Sequence, residues 1–232
     1  MPRPLPQPDR LLARQACNVP LNDLVRLRRL PWNPLSAARP YHEAHAARGI
    51  LGIEELRAVL ALDLDPRVRL AVQLGAYCGL RLGEIRGLKW GDVEGTTLHV
   101  RRSYVPVDGE RDQAKHGGNR DVPLPSPVVE TLTAWRRTYA GRMDADWILC
   151  SLRQPHGPMD DSTIRAAFRS AMVKAGVKRP AQKARGLVFH GLRHWFVSQL
   201  RGSLPDPVLR ALDGHRQDKG RYDPDDFFYT DR

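Results

Sequence analysis

Apolar positions along this 232-residue chain recur mostly at intervals of three and four, the spacing of helices, with one alternating stretch that reads as strand. Residues 1–10 are proline-rich and predicted to be extended or disordered. Leu11, Leu12, Leu21, Leu24, Leu27 and Leu30 predict one helix or a broken pair over 11–30. Pro31, Pro34 and Pro40 then turn 31–49 into a linker. A helix is predicted at about 53–62, with Glu54 and Glu55 in the first turn where the helix dipole favours acids. Another, at 66–78, ends near Gly79, a natural cap, and Gly83-Glu84-Ile85 opens a short third helix. Arg81 is thereby left at a junction between helices.

Thr97–Val105 alternates and is β-rich, Gly117-Gly118 signals a turn, and Asp121–Leu124 can return as a strand. Together they predict a small antiparallel sheet across 97–124, with Lys115 at the mouth of a hairpin. A helix from Pro127 to about Tyr139, a short strand at 147–151 and an amphipathic helix at 160–175 follow. Leu187–Leu200 carries Leu192, Phe196, Val197 and Leu200 on one helical face, and a last short helix spans 206–212. Asp213-Gly214-His215 ends it, before an aspartate-rich tail holding Tyr222 and Tyr229. The predicted class is α+β, mainly α: a helical domain over 50–232 with a small antiparallel sheet on one edge, preceded by an appendage over 1–49.

Charge narrows the partners. Thirty-seven Lys and Arg against 26 Asp and Glu give +11, which favours a polyanion, nucleic acid first and an anionic membrane surface second. The excess is uneven, for 162–205 holds nine basic residues and no acidic one. Such a tract reads as a phosphate-backbone footprint, whereas ordinary solvated faces mix signs. Cys17, Cys78 and Cys150 are far apart and lack CxxC spacing, so neither a disulfide framework nor a zinc ribbon is indicated. The first residues lack the apolar segment of a signal peptide, and no run reaches the length of a membrane span. A soluble, cytoplasmic protein is expected.

Candidate chemistry gathers at a few polar residues. His190 and Arg193 stand three apart, neighbours on one helical side, and suit an anion because a guanidinium fork matches two phosphate oxygens. The plainer alternative is a helix with two polar residues facing solvent. Arg81 has Glu84 one turn on to orient it, or the two form a tie between helices. Lys115 can serve a site or merely solubilise a hairpin.

The order arginine at a helix junction, hairpin lysine, His-x-x-Arg, later histidine and terminal tyrosine resembles the catalytic domain of tyrosine recombinases, the phage-integrase family. The likeness covers roughly 50–224 and is carried by Gly79-Leu80-Arg81-Leu82-Gly83-Glu84-Ile85 and Phe189-His190-Gly191-Leu192-Arg193-His194. The resemblance implies that 1–49, with Trp32-Asn33-Pro34, is the remnant of a core-binding region and linker, and that 50–232 is the catalytic domain. It implies a site-specific recombinase acting on double-stranded DNA through a 3′-phosphotyrosyl intermediate and self-associating on DNA, with no cofactor and no metal. Arg81 and Arg193 clamp the phosphate, Tyr222 attacks, His190 takes its proton, Lys115 protonates the leaving oxygen, His215 bonds the phosphate, and Glu84 supports Arg81.

The sequence departs from the family at its end. Tyr222 lies seven residues after His215 and Tyr229 fourteen, where family tyrosines follow at an interval between the two, and Leu-Asp-Gly-His stands for the commoner Leu-Gly-His. Tyr229 is the alternative nucleophile, and a truncated, catalytically impaired DNA-binding relic the alternative function. A zinc hydrolase built on His190 and His194 is disfavoured because Gly191 stands where zincins need glutamate.

Overall fold

The computed structural model describes residues 7–36, 49–105, 109–111, 119–138, 143–152 and 157–213. The chain divides into two units, 1–45 and 46–232. In the first, helix α1 (Gln7–Arg26) runs unbroken through Pro20, and a 3₁₀ turn follows at Pro34–Ser36. The helix therefore starts inside the segment expected to be extended, since Pro8 falls in a first turn whose amides have no intrahelical partner anyway. From residue 16 to 36 the one buried side chain is Asn33. Its amide donates to Asn18 Oδ1 (2.8 Å) and Asn22 Oδ1 (2.6 Å), while its Oδ1 accepts from the Leu35 amide. Leu24 and Leu27, two of the apolar positions from which a helix or broken pair was expected, are exposed.

The second unit contains α2 (Ile53–Ala61), α3 (Pro66–Tyr77) and α4 (Leu82–Gly87). A sheet region follows, with β1 (Val93–Glu94), β2 (Thr97–Val100), β3 (Ser103–Val105), β4 (Gly109–Arg111) and β5 (Arg120–Pro123). Then come α5 (Ser126–Thr138), α6 (Asp161–Lys174), α7 (Arg179–Ala184), α8 (Gly191–Leu200) and α9 (Asp206–Asp213). This is the expected α+β, mainly α architecture. Among the described residues no helix is long and apolar enough to cross a membrane.

The core is built around α3, which is buried over Val68 and from Leu70 to Ala76, as a helix with neighbours on all sides must be. Asp65 caps it by accepting from the Arg67 amide (2.9 Å), and the Arg67 side chain adds Nη1 to the Cys150 carbonyl (2.9 Å). Helices α4, α5, α6 and α8 pack against it. At the α3–α8 crossing, a Cβ on Gly75 would stand 3.1 Å from Leu192 Cβ. The end of α3 is tighter still. Gly79 has φ +65°, and a Cβ there would fall 2.5 Å from the Phe196 ring.

The sheet differs from expectation. Thr97–Val105 is two strands in two sheets: β2 pairs antiparallel with β1 and β5, and β3 pairs with β4. The break has a cause at Arg101-Arg102. Leu98 and Val100 are buried on one parity and Ser103 on the other, so a single pleat cannot serve both. Arg102 turns inward to Asp92, with Nη1 2.5 Å from Oδ2, and spans to Glu110 of β4. The predicted strand at 147–151 resolves as isolated bridges, Lys89–Trp147 and Cys150–Pro158, because its partners come from different segments. Helix α7 was not foreseen; Pro180 in its first turn is the signal that announces it.

Two outcomes follow. Gly79→Ala is expected to cost about 2–4 kcal/mol, from a left-handed backbone and overlap with Phe196, measurable by urea denaturation. On the sheet, His99 places Nδ1 2.7 Å from Asp121 and Nε2 3.1 Å from Glu94, and the Asp121 bond, then that of Glu94, raises its pKa above the ordinary 6.5. A raised value means that this contribution is fully present below pH 6.5 and is lost as pH climbs through the folded-state value. His99→Gln should therefore lower the melting temperature more near pH 6 than near pH 9.

Candidate active site

One buried carboxylate collects the residues of the candidate site. Glu84, in the first turn of α4, is 1% exposed. It reaches back to the Arg81 amide, with Oε2 at 2.9 Å, as an acid in the first helical turn can. Arg81, held in extended backbone just before α4, also donates Nη1 to Glu84 Oε1 at 3.1 Å. A second guanidinium enters from β5: Arg120 donates Nη1 to Oε1 (3.0 Å) and Nη2 to Oε2 (2.8 Å). Burial alone pushes the Glu84 carboxyl up, but the bonds and charge of Arg120, then the amide and charge of Arg81, outweigh it and hold the group below the usual carboxylate range.

Arg193 reaches the same turn from α8. The residue is 3% exposed, and its side chain donates Nη1 to the Gly79 carbonyl at 2.6 Å, two residues before Arg81. The close α3–α8 crossing makes this reach possible. His190 caps α8, half-buried, and its ring meets that of His194 edge-on with centroids 4.7 Å apart.

The structure brings Arg81, Glu84 and Arg193 to one turn and sets His190 at the head of the helix that carries Arg193. Lys115, His215, Tyr222 and Tyr229 lie outside the described residues. Sequence reasoning passed over Arg120. Its signal was parity: Arg120 shares a strand face with buried Val122, and an arginine on an inward face requires a buried carboxylate. The basic tract of 162–205 is only partly available to a ligand. Arg185 grips Glu55 with both nitrogens (2.6 and 2.8 Å), whereas Arg165, Lys174, Lys178, Arg179, Lys183 and Arg201 are exposed. Among the described residues no cluster of three or more His, Cys, Asp or Glu forms a metal-binding group.

This arrangement, arginines converging at a turn between α3 and α4 and backed by a buried acid, sits in a fold with known counterparts. A match to the phage integrase family extends over residues 52–220, and the chain belongs to that family. A putative integrase/recombinase of Sinorhizobium fredii is 29% identical over 72% of this chain and 83% of its own length. The integrase of Escherichia phage HK022 is 25% identical over 80% of this chain but 49% of its own length, so the chain spans about half of that relative. Among solved structures, a lambda integrase dimer bound to a COC′ core site matches with TM-score 0.63 and 21% identity, over 91% of this chain and 73% of that one. The Tn1549 transposon integrase in complex with transposon right end DNA gives TM-score 0.67 and 16% identity, over 91% and 72%. At such identities the structural likeness is one of fold.

Glu84→Gln is expected to cost about 3 kcal/mol or more at neutral pH, because it leaves the buried Arg120 fork without its countercharge. The carboxyl is depressed in the folded state, so this advantage exists above the ordinary value of 4.5 and fades as pH falls through the folded value. Denaturation of both proteins from neutral to acid pH should show the gap closing on the acid side.

Proposed function

We propose that this chain is a tyrosine-type site-specific recombinase that cuts and rejoins double-stranded DNA through a 3′-phosphotyrosyl intermediate. The observation that carries the reading is the hydrogen bond from Arg193 to the Gly79 carbonyl, which anchors a guanidinium from α8 two residues from Arg81. Two such groups suit the non-bridging oxygens of a phosphodiester, whose negative charge grows as a nucleophile attacks phosphorus. The exposed lysines and arginines of 174–201 supply sequence-independent attraction for the backbone. The DNA-bound integrases of like fold support duplex DNA as the partner and assembly of several copies upon it.

In this reading the Tyr222 oxygen bonds to phosphorus while the bond to the 5′ oxygen breaks. His190 takes the phenolic proton, Lys115 gives a proton to the leaving oxygen, and His215 donates a hydrogen bond to the phosphate. Arg81 and Arg193 stabilise the five-coordinate transition state, and Glu84 holds Arg81. Rejoining reverses the steps with a 5′ hydroxyl as nucleophile, so bond energy is conserved in the phosphotyrosine. The protein acts in the cytoplasm, where its DNA is.

The test is covalent capture. Incubated with nicked suicide duplexes of randomised sequence, the wild-type protein should form a denaturant-stable DNA adduct. Tyr222→Phe should abolish it while Tyr229→Phe retains it, and Arg193→Ala should slow its formation by a factor on the order of 10² or more. Loss of the adduct in Tyr229→Phe instead moves the nucleophile to that residue. Absence of any wild-type adduct overturns strand transfer and leaves a DNA-binding protein.

A further inference from the structure

We propose that Arg120 is a positioning residue that neutralises Glu84, so that Arg81 keeps its positive charge for the phosphate. What Arg81 binds rests on the recombinase reading; how Arg81 is kept available rests on the geometry around Glu84. The two oxygens of this buried carboxylate receive four N–H bonds, divided unequally. Arg120 engages both oxygens with its fork, at 3.0 and 2.8 Å. The Arg81 side chain makes a single bond to it, at 3.1 Å, and its other contact is through the backbone amide. Exposure follows the same order: the Arg120 side chain is 7% exposed, walled in with Glu84, whereas that of Arg81 is 22% exposed.

Glu84 and Arg120 cancel as a bidentate pair, the geometry in which guanidinium and carboxylate match best. Arg81 then keeps a full positive charge, held in orientation by one weak arm, and Arg193 leans on a neutral carbonyl. Without Arg120, the guanidinium left at Glu84 among the described residues is that of Arg81. The carboxylate then draws both arms of Arg81 inward and cancels the charge that a phosphate needs. Replacing Arg120 therefore damages the site through Arg81, although Arg120 itself touches no substrate.

Arg120 has a third contact. Its Nε donates to the Leu212 carbonyl at 3.1 Å, in the last turn of α9 and three residues ahead of His215. A cation there satisfies a helix-terminal carbonyl and suits the negative end of the helix dipole. One side chain thus links β5, the acid behind Arg81 and the end of α9.

The experiment compares wild type, Arg120→Gln and the double variant Glu84→Gln/Arg120→Gln, each checked by thermal melt. It reads the adduct rate on the nicked duplex at saturating and limiting DNA, and anisotropy of the same labelled duplex. Arg120→Gln should lower the saturated rate by about tenfold or more, and the double variant should recover most of that loss, because a neutral amide no longer competes for Arg81. A merely structural arginine shows its loss and its rescue in the thermal melt and leaves the saturated rate of the folded protein unchanged. A double variant no faster than Arg120→Gln, or an Arg120→Gln rate within about twofold of wild type, overturns the proposal. If Arg120→Gln does not fold, the folded double variant decides: a rate within about tenfold of wild type supports action through Glu84, and an inert one overturns it. If wild type forms no adduct, the recombinase reading fails separately. Duplex affinity then judges Arg120: weaker binding by Arg120→Gln that the double variant restores supports the proposal, and equal affinities overturn it.

Discussion

A guanidinium with 3% exposure leaning on a backbone carbonyl is the contact on which the candidate site depends. Arg193 can reach Gly79 only because α3 and α8 cross closely, and they cross closely because Gly75 and Gly79 present no Cβ to Leu192 and Phe196. Gly79 does two things at once. Its positive φ ends α3 and turns the chain toward Arg81, and its bare Cα admits the Phe196 ring. Core packing and placement of charge are therefore one constraint here, and a methyl group at the crossing disturbs both.

The second constraint is the burial of Glu84. An ionised carboxylate taken from water is costly unless paired, and the fold supplies two arginines and a backbone amide against it. Such a cluster contributes little net stability compared with an apolar core of the same volume. What it supplies is orientation: the acid fixes the start of α4, pins the arginine just ahead of it and, through Arg120, reaches the end of α9. The polar cluster lies just beyond the end of α3, the helix buried over most of its length.

The helical periods, the capping glycine and the paired motifs around Arg81 and Arg193 were legible in order along the chain, because each is a local pattern. The helix boundaries at 53–61, 66–77, 161–174 and 191–200 lie within a residue or two of those read from spacing, apart from the last helix's four-residue lead-in from Leu187. Alternation over 97–105 misled, since a strand that changes sheet midway keeps its composition while changing the parity of its buried face. The division of the basic tract into exposed and internally paired charges was hidden too. The partners of Arg185 and Arg193, at Glu55 and Gly79, are more than a hundred residues away.

The sequence by itself determined the fold class and the family, because hydrophobic period and motif order are properties of neighbouring residues. Only the tertiary structure decided which charges meet. Arg120 and Glu84 are thirty-six residues apart, and nothing local to either names the other. They pair because β5 and α4 each bury one face against neighbouring elements, and a buried charge takes the countercharge that the fold delivers.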